Sequence, residues 1–154
     1  MFESYSSLVE TDPSTRARAA LLERLNRRLQ VMEPWLAGGK VVSRASSTDS
    51  RYEAIVLHVD RARLLIPYEI AQSKPPTSPR KQLPANEVTF VVPGVSESSQ
   101  AYYVTPVSLT AVATSRVAGG TSLSIPAHSD GLVVVTEDPL VTQAIRQKVA
   151  RVSG

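Results

Sequence analysis

The sequence predicts a mainly β protein, an antiparallel β-sandwich with an N-terminal amphipathic helix and a short C-terminal helix, on three observations. From Glu87 to Pro139, short runs rich in Val, Ile, Thr and Tyr are separated by turn signals at Pro93-Gly94, Ser96 to Ser99, Gly119-Gly120 and Ser129-Asp130-Gly131. Ahead of that region, Leu22, Leu25, Leu29, Met32 and Leu36 recur at alternating spacings of three and four, which stacks them on one stripe of a helix. Behind it, Val141, Ile145, Val149 and Val152 share one face of a second helical segment.

Both helices carry the same start signal. Asp12-Pro13 and Asp138-Pro139 each place a carboxylate where it accepts from free N–H groups and a proline where its missing N–H costs nothing. The first helix is expected over about residues 13 to 37, with Pro34 kinking or ending it and Gly38-Gly39 closing it. The second is expected over 139 to 152, with Arg146, Lys148 and Arg151 favouring its C-terminal end.

Between the helices, strands are expected at about 41 to 44, 51 to 60, from Arg61 onward, and at 87 to 92, 100 to 104, 108 to 117, 121 to 125 and 131 to 136. The second and third of these return through a tight Asp60-Arg61 turn, and Pro67 argues for an edge position or a strand end. Gly119 and Gly120 read as the two central residues of a hairpin loop. Four prolines between Gln72 and Pro84 mark an exposed loop. The organisation expected is a polar segment and helix over 1 to 39, then the sandwich with its terminal helix over 40 to 154.

Composition excludes several classes. With 42% hydrophobic and 20% charged residues the chain is globular rather than disordered. No apolar run reaches the ~18 residues of a membrane span, so no membrane role is expected. Seventeen Lys and Arg against 14 Asp and Glu give a net charge of only +3, too small a field to imply nucleic acid. The absence of cysteine removes thiolate chemistry and sulfur-ligated zinc, and together with a start lacking a secretory pattern it leads to a cytoplasmic expectation.

Catalytic chemistry is sparse. The histidines, His58 and His128, are each followed two residues later by an aspartate, but Asp60 and Asp130 fall at turns, and neither a metal site nor a cofactor is expected. Gly38-Gly39-Lys40 lacks the spacing of a phosphate loop. Glu53, Glu69, Glu87 and Glu97 do not form a glycosidase dyad, so an enzyme is not expected. The contact candidates are aromatic: Tyr102 and Tyr103, adjacent in a strand and so on opposite faces, and Trp35. A second candidate surface is the helix bearing Arg24, Arg27 and Arg28.

The segments LLERLNRRLQVMEPWLAGG, RYEAIVLHVDRARLLI and FVVPG…AYYVTPVSLTAV…RVAGGTSLSIPAHSDGLVVVTED together resemble the C-terminal antiparallel β-sandwich domain, with its preceding barrel-end helix, of glycoside hydrolase-like proteins. The resemblance implies an accessory module without the catalytic barrel or its acidic pair, structural and carbohydrate-contacting, with Leu22, Leu25, Leu29 and Met32 either covered by the module itself or facing an absent (β/α) barrel. The alternative is a self-associating domain that binds a protein or polyanion through the arginine-bearing helix. A leucine stripe left exposed would drive homo-oligomer formation.

Overall fold

A computed structural model describes residues 12–59, 61–70, 87–96, 98–127 and 131–153. The expectations for the first ten residues, Asp60, the proline-rich loop at 72–84, Glu97, His128 and Asp130 lie outside the described residues. Helix α1 spans Pro13–Gly38, strands β1 to β9 span Lys40–Ser47, Tyr52–Val59, Ala62–Glu69, Glu87–Val92, Gln100–Val104, Leu109–Val112, Thr114–Val117, Gly120–Pro126 and Leu132–Thr136, and helix α2 spans Pro139–Ser153.

The helix starts follow from their caps. Asp12 Oδ1 accepts from the backbone N–H of Ser14 at 2.9 Å and of Thr15 at 3.1 Å, and Asp138 Oδ1 accepts from Leu140 N–H at 2.9 Å. Pro34 does not end α1, which continues to Gly38, where Gly39 N–H closes it on the Trp35 carbonyl at 2.8 Å.

All strand pairings are antiparallel, and the nine strands form one sheet in the order β6-β5-β9-β3-β2-β1-β4-β8-β7. Two separate sandwich sheets were expected from the strand spacing. Strand β1 instead pairs with β2 on one side and β4 on the other, joining the two halves. The end strands β6 and β7 are separated in the chain only by Ala113, so the two sheet edges must lie close together. The sheet is therefore curled into a nearly closed form.

Strand alternation sorts the apolar residues onto the two faces of this curl. Val56, Leu65, Phe90, Leu123, Ile125 and Val133 belong to one buried cluster, contributed by strands from all round the sheet. Leu57, Leu64, Leu132 and Val134 belong to a second, together with Val31, Met32 and Trp35 of α1 and Ile145 and Val149 of α2. The helices thus cover one outer patch of the sheet. Every residue of β9 is buried, as expected of a strand with neighbours on both sides and packed side chains on both faces.

Three local departures have simple causes. The expected strand at 108 to 117 breaks at Ala113, where the chain passes from one sheet edge to the other. The hairpin loop is Ala118-Gly119 rather than Gly119-Gly120, because Val117 pairs with Gly120. Gly120 is needed for a different reason: a Cβ there would sit 2.2 Å from the Val92 carbonyl oxygen. Pro67 lies within an interior strand, yet β9 pairs only with Ala62 to Leu65, so at Pro67 the strand has the one-sided environment that proline tolerates.

Candidate functional site

The leucine stripe is where structure and sequence part most usefully. Of the large apolar residues on α1, Val31, Met32 and Trp35 are buried, whereas Leu22, Leu25 and Leu29 are 43%, 47% and 44% exposed and Leu21 and Leu36 are more exposed still. Of the two alternatives for the stripe, cover by the module itself holds for Met32, which is removed from the candidate partner surface, and not for Leu22, Leu25 and Leu29. Rotation of the helix is the physical reason: Val31 and Trp35 lie about 120° round the helix from Leu25, Leu29 and Leu36, so the C-terminal third of α1 seats its Val31 and Trp35 side, with Met32 at the edge, on the sheet and α2. The leucine side, Leu36 in the last turns included, is an apolar surface open to solvent.

That seated third is tied to α2 by Lys148 Nζ, which donates to Glu33 Oε2 at 2.6 Å. The hydrogen bond from Lys148, followed by its positive charge, holds the Glu33 carboxyl below the usual glutamate range. On the projecting part, Arg27 pairs with Glu23 at 2.7 Å along one helical face. Arg24 is exposed and Arg28 is half-buried beside it, so the three arginines do lie along one stretch of helix, but Glu23 offsets part of their charge.

The aromatic candidates do not form one surface. Trp35 is 5% exposed and belongs to the cluster under the helices, which corrects its reading as an open stacking surface. Tyr102 and Tyr103 fall on opposite faces as the strand geometry requires, Tyr102 against the helix-side cluster and Tyr103 against the other. The Tyr102 hydroxyl donates to Gln100 Oε1. The Tyr103 ring lies where any side chain on Gly131 would have to go, its hydroxyl oxygen 2.2 Å from the Cβ that alanine would add.

Several carboxylates are already committed. Glu53 accepts from the Tyr68 hydroxyl and faces Arg44 at 3.6 Å, Asp49 pairs with Arg51, and Asp138 pairs with Arg61 at 3.1 Å. The Tyr68 hydroxyl is raised above its ordinary pKa, first by its hydrogen bond to Glu53. Among the described residues no three His, Cys, Asp or Glu side chains converge as a metal site. His58 is exposed and lines a polar cavity of about 560 Å³ with Arg61, Arg63, Ser96 and Ser99. Arg63 is pinned there by donation to the Pro93 carbonyl.

A larger groove of about 740 Å³ lies between α1 and α2, with Val31, Trp35, Val59, Val141 and Ile145 among its walls. Sequence reasoning missed both hollows, whose walls come from segments far apart in the chain. The only available signal was the pair of apolar helix faces, which share this boundary. No family model, curated protein or solved structure matches the chain. No helix among the described residues is long and apolar enough to cross a membrane.

Proposed function

We propose that the chain is a non-catalytic interaction module that pairs with a second copy of itself through the projecting part of α1. The observation that carries this reading is the exposure of Leu22, Leu25 and Leu29 on a helix whose Val31, Met32 and Trp35 side is seated in the core. A helix segment with a half-exposed apolar face gains little from its own hydrogen bonds and is stabilised when that face is covered. A second copy supplies a face of the same kind.

In a two-fold antiparallel pairing centred on Leu25, residues whose numbers sum to 50 lie at the same height, so Leu21 of one copy stands level with Leu29 of the other. The commitment of Glu53, Asp49 and Asp138 to ion pairs supports the non-catalytic part of the reading.

The test is the solution mass of the intact chain over a concentration series by sedimentation. A reversible shift from the 16.6 kDa monomer toward twice that mass supports the proposal. A strict monomer at every concentration defeats it. A monomer that instead forms a complex with a (β/α)-barrel protein would assign the same leucines to the glycosidase-like context that the resemblance implies.

A further inference from the structure

We infer that the mouth of the curled sheet binds a small-molecule phosphate monoester, its dianion held by a row of three basic side chains, Lys40, His58 and Arg63. The row follows from strand register. Lys40 of β1 pairs with His58 of β2, and His58 pairs with Arg63 of β3, so the three side chains leave the sheet on the same face. Two residues along that face from His58 and Arg63 lie Val56 and Leu65, both in the cluster that the sheet encloses. The basic row therefore stands where this apolar filling ends.

Like charges directly opposite each other on a sheet are destabilising unless a counter-charge joins them. The protein supplies one to Arg61, which pairs with Asp138 at 3.1 Å. Lys40, His58 and Arg63 take part in no ion pair among the described residues. Arg63 is nevertheless oriented: it donates to the Pro93 carbonyl, and the turn lies so close that a Cβ on Gly94, at φ 63°, would come within 3.3 Å of the guanidinium. Arg116 holds the same turn by donating to the Val95 carbonyl at 2.9 Å. One bond to Pro93 leaves most of the five guanidinium N–H donors of Arg63 for a ligand.

His58 and Arg63 line the polar cavity of about 560 Å³ with Ser96 and Ser99, a volume within the roughly 300 to 1,000 Å³ of small-molecule sites. Its acids are Asp138, spent on Arg61, and Glu137, which accepts from Ser99 Oγ at 3.4 Å. An anion is therefore directed away from Glu137 and toward the row. Lys40 and Arg63 stand two strand spacings apart, about 10 Å, with His58 between them, and their long side chains converge on a group above the imidazole. Two permanent charges select a dianion. A phosphate monoester shares three oxygens and two charges among these donors, whereas a carboxylate brings two oxygens and one charge.

The experiment is a titration of the full chain with phenyl phosphate at about pH 7.5, above the second phosphate pKa of about 6, followed by amide and His58 ring resonances and by calorimetry. Benzoate is the singly charged probe with the same ring. We expect saturable shifts with one phenyl phosphate per chain, gathered on Lys40, His58, Arg63, Ser96 and Ser99, and benzoate at least about tenfold weaker. Lys40→Gln and His58→Gln, both at exposed positions, should each weaken phenyl phosphate about tenfold, the size expected for losing one charge-assisted contact, with the rest of the amide spectrum unchanged. Arg24→Gln, on the exposed part of α1, should bind like the wild type. No saturable shift, or undiminished binding in both Lys40→Gln and His58→Gln, overturns the site. A loss in Arg24→Gln as large as in Lys40→Gln overturns the location, and equal affinity for benzoate overturns the phosphate assignment.

Discussion

Leu25→Glu is the perturbation that bears hardest on self-pairing. Leu25 is 47% exposed in the single chain, and covering the remaining half of a leucine is worth about 1 kcal/mol. Leu22, Leu25 and Leu29 from two copies therefore contribute about 6 kcal/mol, and the more exposed Leu21 pair raises this to about 9 kcal/mol. Against an association cost of at least ~4 kcal/mol, the net is about −5 kcal/mol, a dissociation constant on the order of 0.1 mM. The dimer is weak and reversible.

Two-fold symmetry counts Leu25 twice. Replacing it removes about 2 kcal/mol, or roughly 30-fold in affinity, and sets two carboxylates opposite each other at the axis. Sedimentation of Leu25→Glu should show monomer throughout the range where the wild type associates. Its thermal stability should match the wild type, because an exposed position away from packed groups shifts stability by no more than about 0.5 kcal/mol. Leu140→Glu, at a position 68% exposed on α2, should leave association intact. Undiminished self-association in Leu25→Glu would refute the reasoning.

Other outcomes test the fold that presents this helix. Gly120→Ala should destabilise by about 1 to 3 kcal/mol and lower the melting temperature by several degrees, because the Val92 backbone, not a flexible side chain, lies 2.2 Å from the new Cβ; calorimetry decides it. Glu33 is held below its ordinary range by Lys148, and Asp12 is held further below by the Ser14 and Thr15 donors. Both folded-state values are depressed, so these carboxylates stabilise the folded chain above their ordinary pKa values, and that contribution is lost as pH falls through the depressed ones. Acid titration should therefore loosen the α1 start and the α1–α2 link, read from Ser14 and Thr15 amide shifts and from the Lys148 side-chain resonance. Loss of these signals near neutral pH would contradict the assignment.

The elements were legible wherever local chemistry decides them. Asp12-Pro13 and Asp138-Pro139 mark helix starts because the caps are local, and the strand at Glu87–Val92 matches its expected range because turn residues bound it. The closure of the sheet was not legible. It depends on Ala113 carrying the chain between two edges and on β1 bridging the two halves, neither of which alters a local pattern. Periodicity likewise placed Leu29 and Met32 on one stripe, but their different burial depends on which side of α1 turns toward the sheet and α2. The arginines of the candidate surface could be listed from sequence, whereas the groove needed α1, the β2–β3 turn and α2 brought together.

The most direct measurement of the central claim uses the absence of native cysteine. Leu25→Cys, oxidised under mild conditions, joins two chains only if their Leu25 positions approach within roughly 7 Å between Cα atoms. The two-fold pairing predicts a disulfide-linked dimer as the main product, formed far faster than in a Leu140→Cys control. Cross-linking no faster than that control would contradict the pairing of α1 with itself.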